Sequence, residues 1–588
     1  MMTMIRKPLL LSAAVATLAA AGLTGAARAD VAAQIPGDAL FFVKVNDLRG
    51  TSDRLAQLAN DFGIAAFNAD MGDPLGAAIR EGKITEGLDE SGDAAAYLLH
   101  DGGEDEPDDE DFVVLVPTTD FEAFVGNFEG VAMNNDGSAS FDYEGEQVTA
   151  VRRGGYAALS AGDTTTLMIE PGDGLTVADQ SSDEVEDLDL VLYVNFEKVG
   201  PMLQSALEEE DAENEAIEEM REEFADNEEL AGLEPVAEAG IKQGFLVVSS
   251  FLRDAEATTA GISFDPDGIQ VKLTADFKAD SYLGTSVGSL EQSDASMLAG
   301  LPDVGPYLVY GGLSAELGPV IRDVLQPVID ASAEAEGERA EELNEMLAST
   351  TDLYAGLDGL TFGFLAPAGD FGEAPLLQTV TVVRGEAEGD MLDQIVALGE
   401  NQQELMAAFG QAEAAGAVEL TRDAKQIGGV SFAKLVTDVP PGPAGMIYGP
   451  EGAVQYLAEI DGQLVSIAGL GDEQMAEVVA AVQGGLDPLA GSDAVQETAE
   501  TLPGNRIAVQ YVAADEIAKV VGDFAQQFGQ PIQVQLPPNL PPLGTVVTSD
   551  GTEITVTTVL PTATVQALVA QGMQTMMQMQ GGGGGGGL

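Results

Sequence analysis

The chain has 588 residues, of which 99 are Asp or Glu and 24 are Lys or Arg, so its formal net charge at pH 7 is −75. An electrostatic field of this sign repels phosphate groups, which argues against nucleic acids and anionic lipid headgroups as partners. The sequence contains no cysteine, which excludes disulfides, thiolate metal ligands and cysteine nucleophiles.

Residues 1–29 have the pattern of a cleaved secretory signal. Arg6 and Lys7 provide the positive start, residues 9–23 form an apolar run, and Ala27-Arg28-Ala29 matches a small-residue cleavage site. The apolar run is short for a membrane span, which needs about 20 residues. We therefore expect an exported protein, periplasmic or extracellular, whose mature chain begins near residue 30 and has no transmembrane span after signal cleavage.

The first half of the mature chain combines short apolar runs with amphipathic segments. The apolar runs predict strands at residues 39–45, 94–99, 112–116, 139–143, 147–152, 156–160, 188–194, 245–251, 257–264 and 269–277. Helical spacing predicts helices at 47–68, after the cap at Thr119-Asp120, and from Phe196 onward. Within the last of these we predict one helix over 202–230, with an apolar stripe made by Leu203, Leu207, Ile217, Met220 and Phe224.

The loop at residues 101–111, between the second and third predicted strands, is densely acidic. Hard cations such as calcium take carboxylate oxygens from flexible loops. The candidate metal ligands are Asp101, Glu104, Asp105, Asp108, Asp109 and Asp111. Their spacing differs from that of an EF-hand, so we expect at most weak divalent cation binding. The acidity of the whole chain fits either a saline habitat or cation binding.

The second half repeats the order of the first. Strands are predicted at 307–310, 360–365, 377–383, 430–435, 454–460, 463–468, 507–512, 544–548 and 553–559, and helices at 313–353, 391–409, 515–528 and from 563. The phrase Gly87-Leu88-Asp89-Glu90 precedes a strand in the first half, and Gly356-Leu357-Asp358-Gly359 precedes the matching strand in the second. Repetition in a fixed order indicates an internal duplication.

These patterns predict an α+β fold built from two tandem homologous halves, each a mostly antiparallel or mixed sheet with helices on one face. The first half is placed at residues 30–293 and the second at 294–572. Residues 573–588, rich in Met and Gln and then in Gly, are predicted to form a flexible tail.

Several short motifs resemble those of a known family. Pro36-Gly37-Asp38-Ala39 leads into the first strand, which ends at Asn46, and a later hairpin carries Tyr143-Glu144-Gly145 and Gly155-Tyr156. In this pattern most of the mature chain resembles an uncharacterised family of exported bacterial proteins that is known only as a domain of unknown function. That family has no established active residues, so the resemblance assigns no role to any residue.

No catalytic or cofactor-binding residue is predicted. The single histidine, His100, ends a predicted strand, and as a general base it would also need a positioned nucleophile and an orienting acid. Ser431 and Lys434 have the Ser-x-x-Lys spacing of penicillin-recognising enzymes, but they lie in a predicted strand and the partner motifs are missing. One histidine without cysteine also cannot build a His-rich zinc site.

The sequence therefore favours an exported, highly acidic, non-enzymatic protein of the envelope or periplasm with a structural or ligand-binding role. One alternative is a carrier that holds an apolar ligand in a cavity between sheet and helices. Another is a hydrolase that uses carboxylates at the junction of the halves. The expected partner is an envelope protein or a small molecule, and the oligomeric state is left open.

Overall fold

The computed structural model describes residues 31–99, 112–143, 145–161, 167, 182–209, 212–225, 234–290, 297–303, 305–314, 318–334, 343–344, 346–349, 351, 356–367, 378–385, 392, 394, 418–437, 453–485, 488–527 and 536–582. It is 41% helix and 36% strand, which confirms the predicted α+β class. The chain divides into two compact units. Unit 1 comprises Met1–Gln204, Leu252–Gly284 and Thr552–Thr557, and unit 2 comprises Ser205–Phe251, Thr285–Gly551 and Thr558–Leu588.

Twenty strands lie within the described residues. The first ten are β1 Phe41–Val45, β2 Ala94–Leu98, β3 Phe112–Pro117, β4 Ala132–Met133, β5 Ala139–Tyr143, β6 Glu146–Arg153, β7 Tyr156–Ser160, β8 Leu190–Asn195, β9 Ala255–Asp265 and β10 Gly268–Phe277. The others are β11 Tyr307–Leu313, β12 Leu357–Leu365, β13 Gln378–Gly385, β14 Val418–Ile427, β15 Val430–Thr437, β16 Ala453–Ile460, β17 Gln463–Ala468, β18 Ala508–Val512, β19 Leu543–Asp550 and β20 Glu553–Pro561.

Helices connect many of these strands. The α-helices of the described chain are α1 Leu48–Asp61, α2 Pro74–Gly82, α3 Phe121–Val125, α4 Ser182–Asp187, α5 Phe196–Glu209, α6 Ala212–Ala225, α7 Glu234–Asp254, α8 Tyr282–Gly288, α9 Gly318–Glu334, α10 Asp472–Gly484, α11 Asp493–Thr501, α12 Ala514–Gln527 and α13 Thr562–Gly582. Short 3-10 helices occupy Ala32–Gln34, Ile64–Ala66 and Ala69–Gly72. Among the helices described, none is both long enough and apolar enough to cross a membrane.

The sheet of unit 1 is antiparallel at each of the pairings between β1 and β10. Its strands follow the order β4-β5-β6-β7-β3-β2-β1-β8-β9-β10. Successive side chains of a strand point to opposite faces, so the sheet has two distinct surfaces. We call one the tyrosine face, which carries Phe42, Tyr97, Val113 and Tyr193, and the other the aliphatic face, which carries Val43, Ala96, Val114 and Leu192.

Both faces of unit 1 contribute to its core. On the tyrosine face, Phe42 stacks on Tyr193 with ring centroids 5.0 Å apart, and Ile35 and Val185 belong to the same buried cluster. On the aliphatic face, Val114 packs with residues of α3. Helical residues therefore contact both faces, whereas the sequence predicted helices on one. The reason is that β2 and β3 are apolar at every position, so both of their faces require cover.

The helix α3 begins where the sequence predicted a cap. The side chain of Asp120 accepts hydrogen bonds from the backbone N–H groups of Glu122 and Ala123, at 3.0 and 3.1 Å. These groups have no partner inside the helix, so the carboxylate stabilises the first turn. The helix then buries Phe121 and Phe124, which anchors it on the sheet.

The sheet of unit 2 is also antiparallel at each pairing described. Its order is β14-β15-β16-β17-β13-β12-β11-β18-β19, in which every number is ten higher than at the same place in unit 1. Thr558 of β20 lies 3.0 Å from Thr545 of β19, hydroxyl to hydroxyl. The core contains Tyr310 stacked on Tyr511, with ring centroids 5.4 Å apart, and the buried side of α10.

Two predictions in the acidic helical region are wrong. Residues 245–251, predicted as a strand, lie inside α7. Their β-branched and aromatic side chains favour a strand only weakly, and a helix that has already formed upstream propagates at little cost. The single helix predicted over 202–230 is replaced by α5, which ends at Glu209, and α6, which begins at Ala212. The predicted stripe is not uniformly buried either, since Leu203 is 36% exposed and Ile217 only 4%.

The C-terminal helix α13 runs to Gly582 and so includes the Met/Gln stretch from residue 573 that was predicted to belong to a tail. Residues 583–588 lie outside the described chain.

A pH-dependent contribution to stability arises at the end of α7. Burial opposes ionisation of Asp254, but hydrogen bonds from Arg253 and the Leu283 N–H, with the charges of Arg253 and Lys278, hold its pKa below the usual value. A depressed carboxyl pKa stabilises the fold above the unfolded-state value of about 3.9, and that stabilisation is lost as the pH falls.

We expect Asp254→Asn to lower the free energy of unfolding at pH 7 by about 1 kcal/mol, and to flatten its decrease between about pH 5 and 2. Urea unfolding at a series of pH values measures both effects. Asp280→Asn is the control for the free energy of unfolding at pH 7, because Asp280 is exposed. Equal slopes in the wild type and Asp254→Asn would contradict the assignment.

Candidate functional site

Buried polar side chains gather at the end of β1 in unit 1. Lys44, only 3% exposed, places its Nζ 3.3 Å from the Val185 carbonyl oxygen and 3.6 Å from Asp93 Oδ2. Asp93 Oδ1 also accepts a hydrogen bond from the Asp47 N–H at 2.9 Å. The ammonium group thus has both a carbonyl and a carboxylate partner, as a buried charge requires.

Asn46 follows directly and joins β1 to the segment before β8. Its side-chain amide donates to the carbonyl oxygens of Val185 at 2.7 Å, Glu186 at 3.2 Å and Leu188 at 2.6 Å. The last carbonyls of a helix have no partner within the helix. Asn46 satisfies those at the end of α4, so its role is to hold this connection in place.

Asp189 completes the cluster from β8's side. Its carboxylate accepts hydrogen bonds from the Phe264 N–H at 2.7 Å and from Thr51 Oγ1 at 3.1 Å, and it pairs with Arg54. Asp189 is 3% exposed. Since the lysine, the amide and both carboxylates are occupied by protein partners, this cluster has no group available for chemistry. It supports the fold.

A second polar pair lies in the tyrosine-face core of unit 1, and not all of its hydrogen-bond donors have a partner among the described residues. Arg153, 7% exposed, donates from Nη1 to Tyr97 Oη at 2.7 Å. Its Nη2 is buried and has no hydrogen-bond partner in the described chain. Burial raises the pKa of Tyr97, against the effect of the neighbouring Arg153, and the charge of Asp38 adds to the rise. The phenol is therefore a neutral hydrogen-bonding group.

A comparable guanidinium lies in unit 2. Arg384 donates from Nη1 to Thr361 Oγ1 at 2.8 Å, and its Nη2 has no partner among the described residues. Burial lowers the pKa of Arg384. Arg384 is only half-buried, so part of its charge is compensated by solvent, in contrast to Arg153.

The aliphatic face of unit 1 is exposed on its β1-β8-β9-β10 side. Val43, Leu192, Ala260 and Leu273 are directly opposite one another on these four strands, and we call them the aliphatic strip. Val43, Leu192 and Leu273 are 38, 40 and 48% exposed. The next row along the strands, formed by Val45, Leu190, Ile262 and Val271, is also apolar throughout. Contiguous exposed apolar surface of this kind marks interaction sites.

The predicted metal ligands Asp101, Glu104, Asp105, Asp108, Asp109 and Asp111 lie outside the described residues, as does His100. In the part of the chain that is described, no group of three or more acidic or histidine side chains is arranged to hold a metal ion. Ser431 and Lys434 lie in β15, as predicted, and Ser431 hydrogen-bonds to Asp423 at 2.6 Å.

The sequence predicted no role for Lys44, Asp189 or Arg153. A usable signal existed for the first two, because a charged residue inside an apolar strand must find a buried partner. Lys44 interrupts the run Phe41–Val45, and Asp189 stands between two leucines. Arg153 gave no such signal, since it ends a strand beside a Gly-Gly turn.

No family model matches the chain. No curated protein matches it either. A solved structure titled "Structure of crystal form III of TP0453" aligns with 47% of this chain and 98% of its own, at 10% sequence identity and a TM-score of 0.18.

Proposed function

We propose that the protein is an exported, non-enzymatic binding protein whose aliphatic strip takes an uncharged apolar ligand, such as a hydrocarbon chain. The observation that carries this proposal is the exposure of Val43, Leu192 and Leu273 side by side on adjacent strands. The export part rests on the signal-like pattern of residues 1–29.

The backbone around the strip argues for a ligand rather than an added peptide strand. β1 pairs with β2 and β8, and β9 pairs with β8 and β10. A peptide binds by strand addition only where a sheet edge offers free N–H and C=O groups. At the strip, recognition has to use side chains, and these offer only hydrocarbon.

Charge argues against two other occupants. The chain carries a net charge of −75 and the strip has no positive side chain to offset it, so an anionic ligand or a second copy of the chain meets repulsion there. The two apolar rows contain no polar side chain, although 21% of the residues in the chain are charged. An uncharged apolar molecule avoids the repulsion and gains the full benefit of removing this surface from water.

We also propose that the two units arose by duplication. Besides the matching strand orders, the register supports it: Phe42 opposes Tyr193 in unit 1, and Tyr310 opposes Tyr511 in unit 2. The flanking backbone hydrogen bonds also match, with Asn46 N to Asp189 O at 3.0 Å, Asn195 N to Leu40 O at 2.9 Å, Ser314 N to Ile507 O at 2.8 Å and Ala513 N to Leu308 O at 2.9 Å. In this alignment, β1 corresponds to β11 and β8 to β18.

Titration with N-phenyl-1-naphthylamine, an uncharged apolar fluorophore, tests the strip. We expect a saturable rise in fluorescence with the wild type. Replacing both Leu192 and Leu273 with Gln should weaken binding at least about tenfold, because covering one leucine contributes about 1.5–3 kcal/mol. Circular dichroism checks that the variant is folded.

Phe67→Gln is the matched control. Phe67 is 68% exposed but lies between two 3-10 helices, outside the sheet, so its replacement should leave probe binding unchanged. An equal loss in this variant, or no loss in the double variant, would refute the proposal. Light scattering gives a separate check, since a wild-type dimer that the double variant abolishes would mean that a second copy covers the strip.

A further inference from the structure

We propose that Tyr97 and Arg153 form a binding site for a single carboxylate group in the tyrosine-face core of unit 1. The site is distinct from the aliphatic strip, which lies on the opposite face of the sheet. A result that refutes one proposal therefore leaves the other unaffected.

The pair offers hydrogen-bond donors without acceptors. Arg153 Nη1 donates to Tyr97 Oη at 2.7 Å, which leaves the phenolic hydrogen free to donate in turn. No described residue accepts a hydrogen bond from this phenol, and none accepts one from Arg153 Nη2. Since Nη1 and Nη2 belong to one planar guanidinium, these unused donors are neighbours.

Burial makes this arrangement costly unless an anion is bound. Tyr97 is fully buried and Arg153 is 7% exposed. A guanidinium remains protonated in proteins, and a buried charge without an opposite charge is strongly unfavourable. Within the described residues, no carboxylate forms an ion pair with Arg153. The charge of Asp38 acts on Tyr97, but Asp38 is exposed and makes no hydrogen bond to either residue.

Unit 2 indicates that the fold itself does not require an arginine here. Arg153 opposes Tyr156 at the β6-β7 turn, and Ile460 opposes Gln463 at the matching β16-β17 turn. Ile460 is buried in the core of unit 2. An apolar residue therefore occupies the equivalent hairpin position in unit 2. Packing alone does not explain why unit 1 has a charged residue there.

The chemistry of the donors selects a carboxylate. A guanidinium presents parallel N–H groups that match the two oxygens of a carboxylate, and the phenol adds one more donor. Arg153 supplies a single positive charge, which balances a monoanion. A phosphate group with two negative charges would remain uncompensated in a chain whose net charge is already −75.

Thermal unfolding of the full chain in sodium acetate tests the site, with sodium chloride of equal ionic strength as reference. We expect acetate to raise the melting temperature of the wild type in a saturable manner. Arg153→Met should abolish the shift. Arg152→Met should retain it, because Arg152 is exposed on the opposite face of β6, with its guanidinium 5.4 Å from the Phe121 ring centroid.

Tyr97→Phe provides a second variant that preserves the ring and its packing. Loss of the phenolic donor should weaken acetate binding about tenfold, as expected for one hydrogen bond to a charged group. This variant decides the question if Arg153→Met does not fold. The proposal is overturned if acetate produces no saturable shift in the wild type, if all three variants shift equally, or if Tyr97→Phe binds acetate as tightly as the wild type.

Discussion

Replacing Asp189 with alanine is expected to lower the free energy of unfolding by about 3 kcal/mol, near the lower end of the range for breaking a buried ion pair. The carboxylate is the common acceptor for Arg54, Thr51 and the Phe264 N–H. Without it, the backbone N–H of Phe264 is buried and unpaired. Arg54 is 39% exposed and still reaches water, which keeps the cost from rising further.

Urea unfolding followed by circular dichroism measures this loss. Asp189→Asn should cost less than Asp189→Ala, because its amide oxygen still accepts a hydrogen bond. Asp53→Ala is the control, since Asp53 is exposed and its pairing with Arg49 at 3.8 Å should contribute less than about 0.5 kcal/mol. Similar losses in Asp189→Ala and Asp53→Ala would show that the buried cluster does not hold β1, β8 and β9 together.

Most of the strands were predictable because burial imposes a period of two or a continuous apolar run, whereas β4 and β14 were not predicted. The run before Asn46 became β1, and the predicted strand at 188–194 became β8 with a shift of one or two residues. The cap at Asp120 was predictable for a different local reason, since an aspartate just before a helix accepts hydrogen bonds from the first backbone N–H groups. The helical state of residues 245–251 was not predictable, because their composition favours a strand while the helix that begins upstream continues through them.

The polar sites could not be assembled from the sequence. The amide of Asn46 meets the carbonyl of Val185, 139 residues away, and Arg153 meets Tyr97, 56 residues away. A charged residue in an apolar strand predicts that some buried partner exists, but only the register of the sheet identifies it. Sequence reasoning could have drawn attention to Lys44 and Asp189, and could not have paired them with Asp93 and Arg54.

The two units use one strand order with different interiors. Where β1 has Lys44 opposite Val191, β11 has Gly312 opposite Val509. The space that a side chain takes in unit 1 is filled in unit 2 by backbone, because the Met297 carbonyl lies directly against Gly312. This carbonyl also accepts a hydrogen bond from Thr361 Oγ1 at 3.1 Å. The two interiors therefore have a different residue size at the same place in the sheet.

Gly312→Ala is expected to lower the free energy of unfolding by about 3 kcal/mol, at the upper end of the cost of overpacking a core. A Cβ atom at residue 312 would lie 1.9 Å from the Met297 carbonyl oxygen and 2.8 Å from its carbonyl carbon. Backbone atoms cannot rotate away as a side chain can, so the segment around Met297 must shift and its hydrogen bond from Thr361 is lost. Urea unfolding measures the cost.

Gly504→Ala serves as the matched control in unit 2. Nothing lies within 4 Å of a Cβ at residue 504, and the exposed backbone there is not left-handed. Adding a methyl group should therefore leave stability unchanged or raise it slightly, by restricting the unfolded chain. If Gly312→Ala were as stable as Gly504→Ala, the close approach of Met297 to β11 would be wrong. The proposed exchange of a side chain for backbone between the two interiors would then lose its basis.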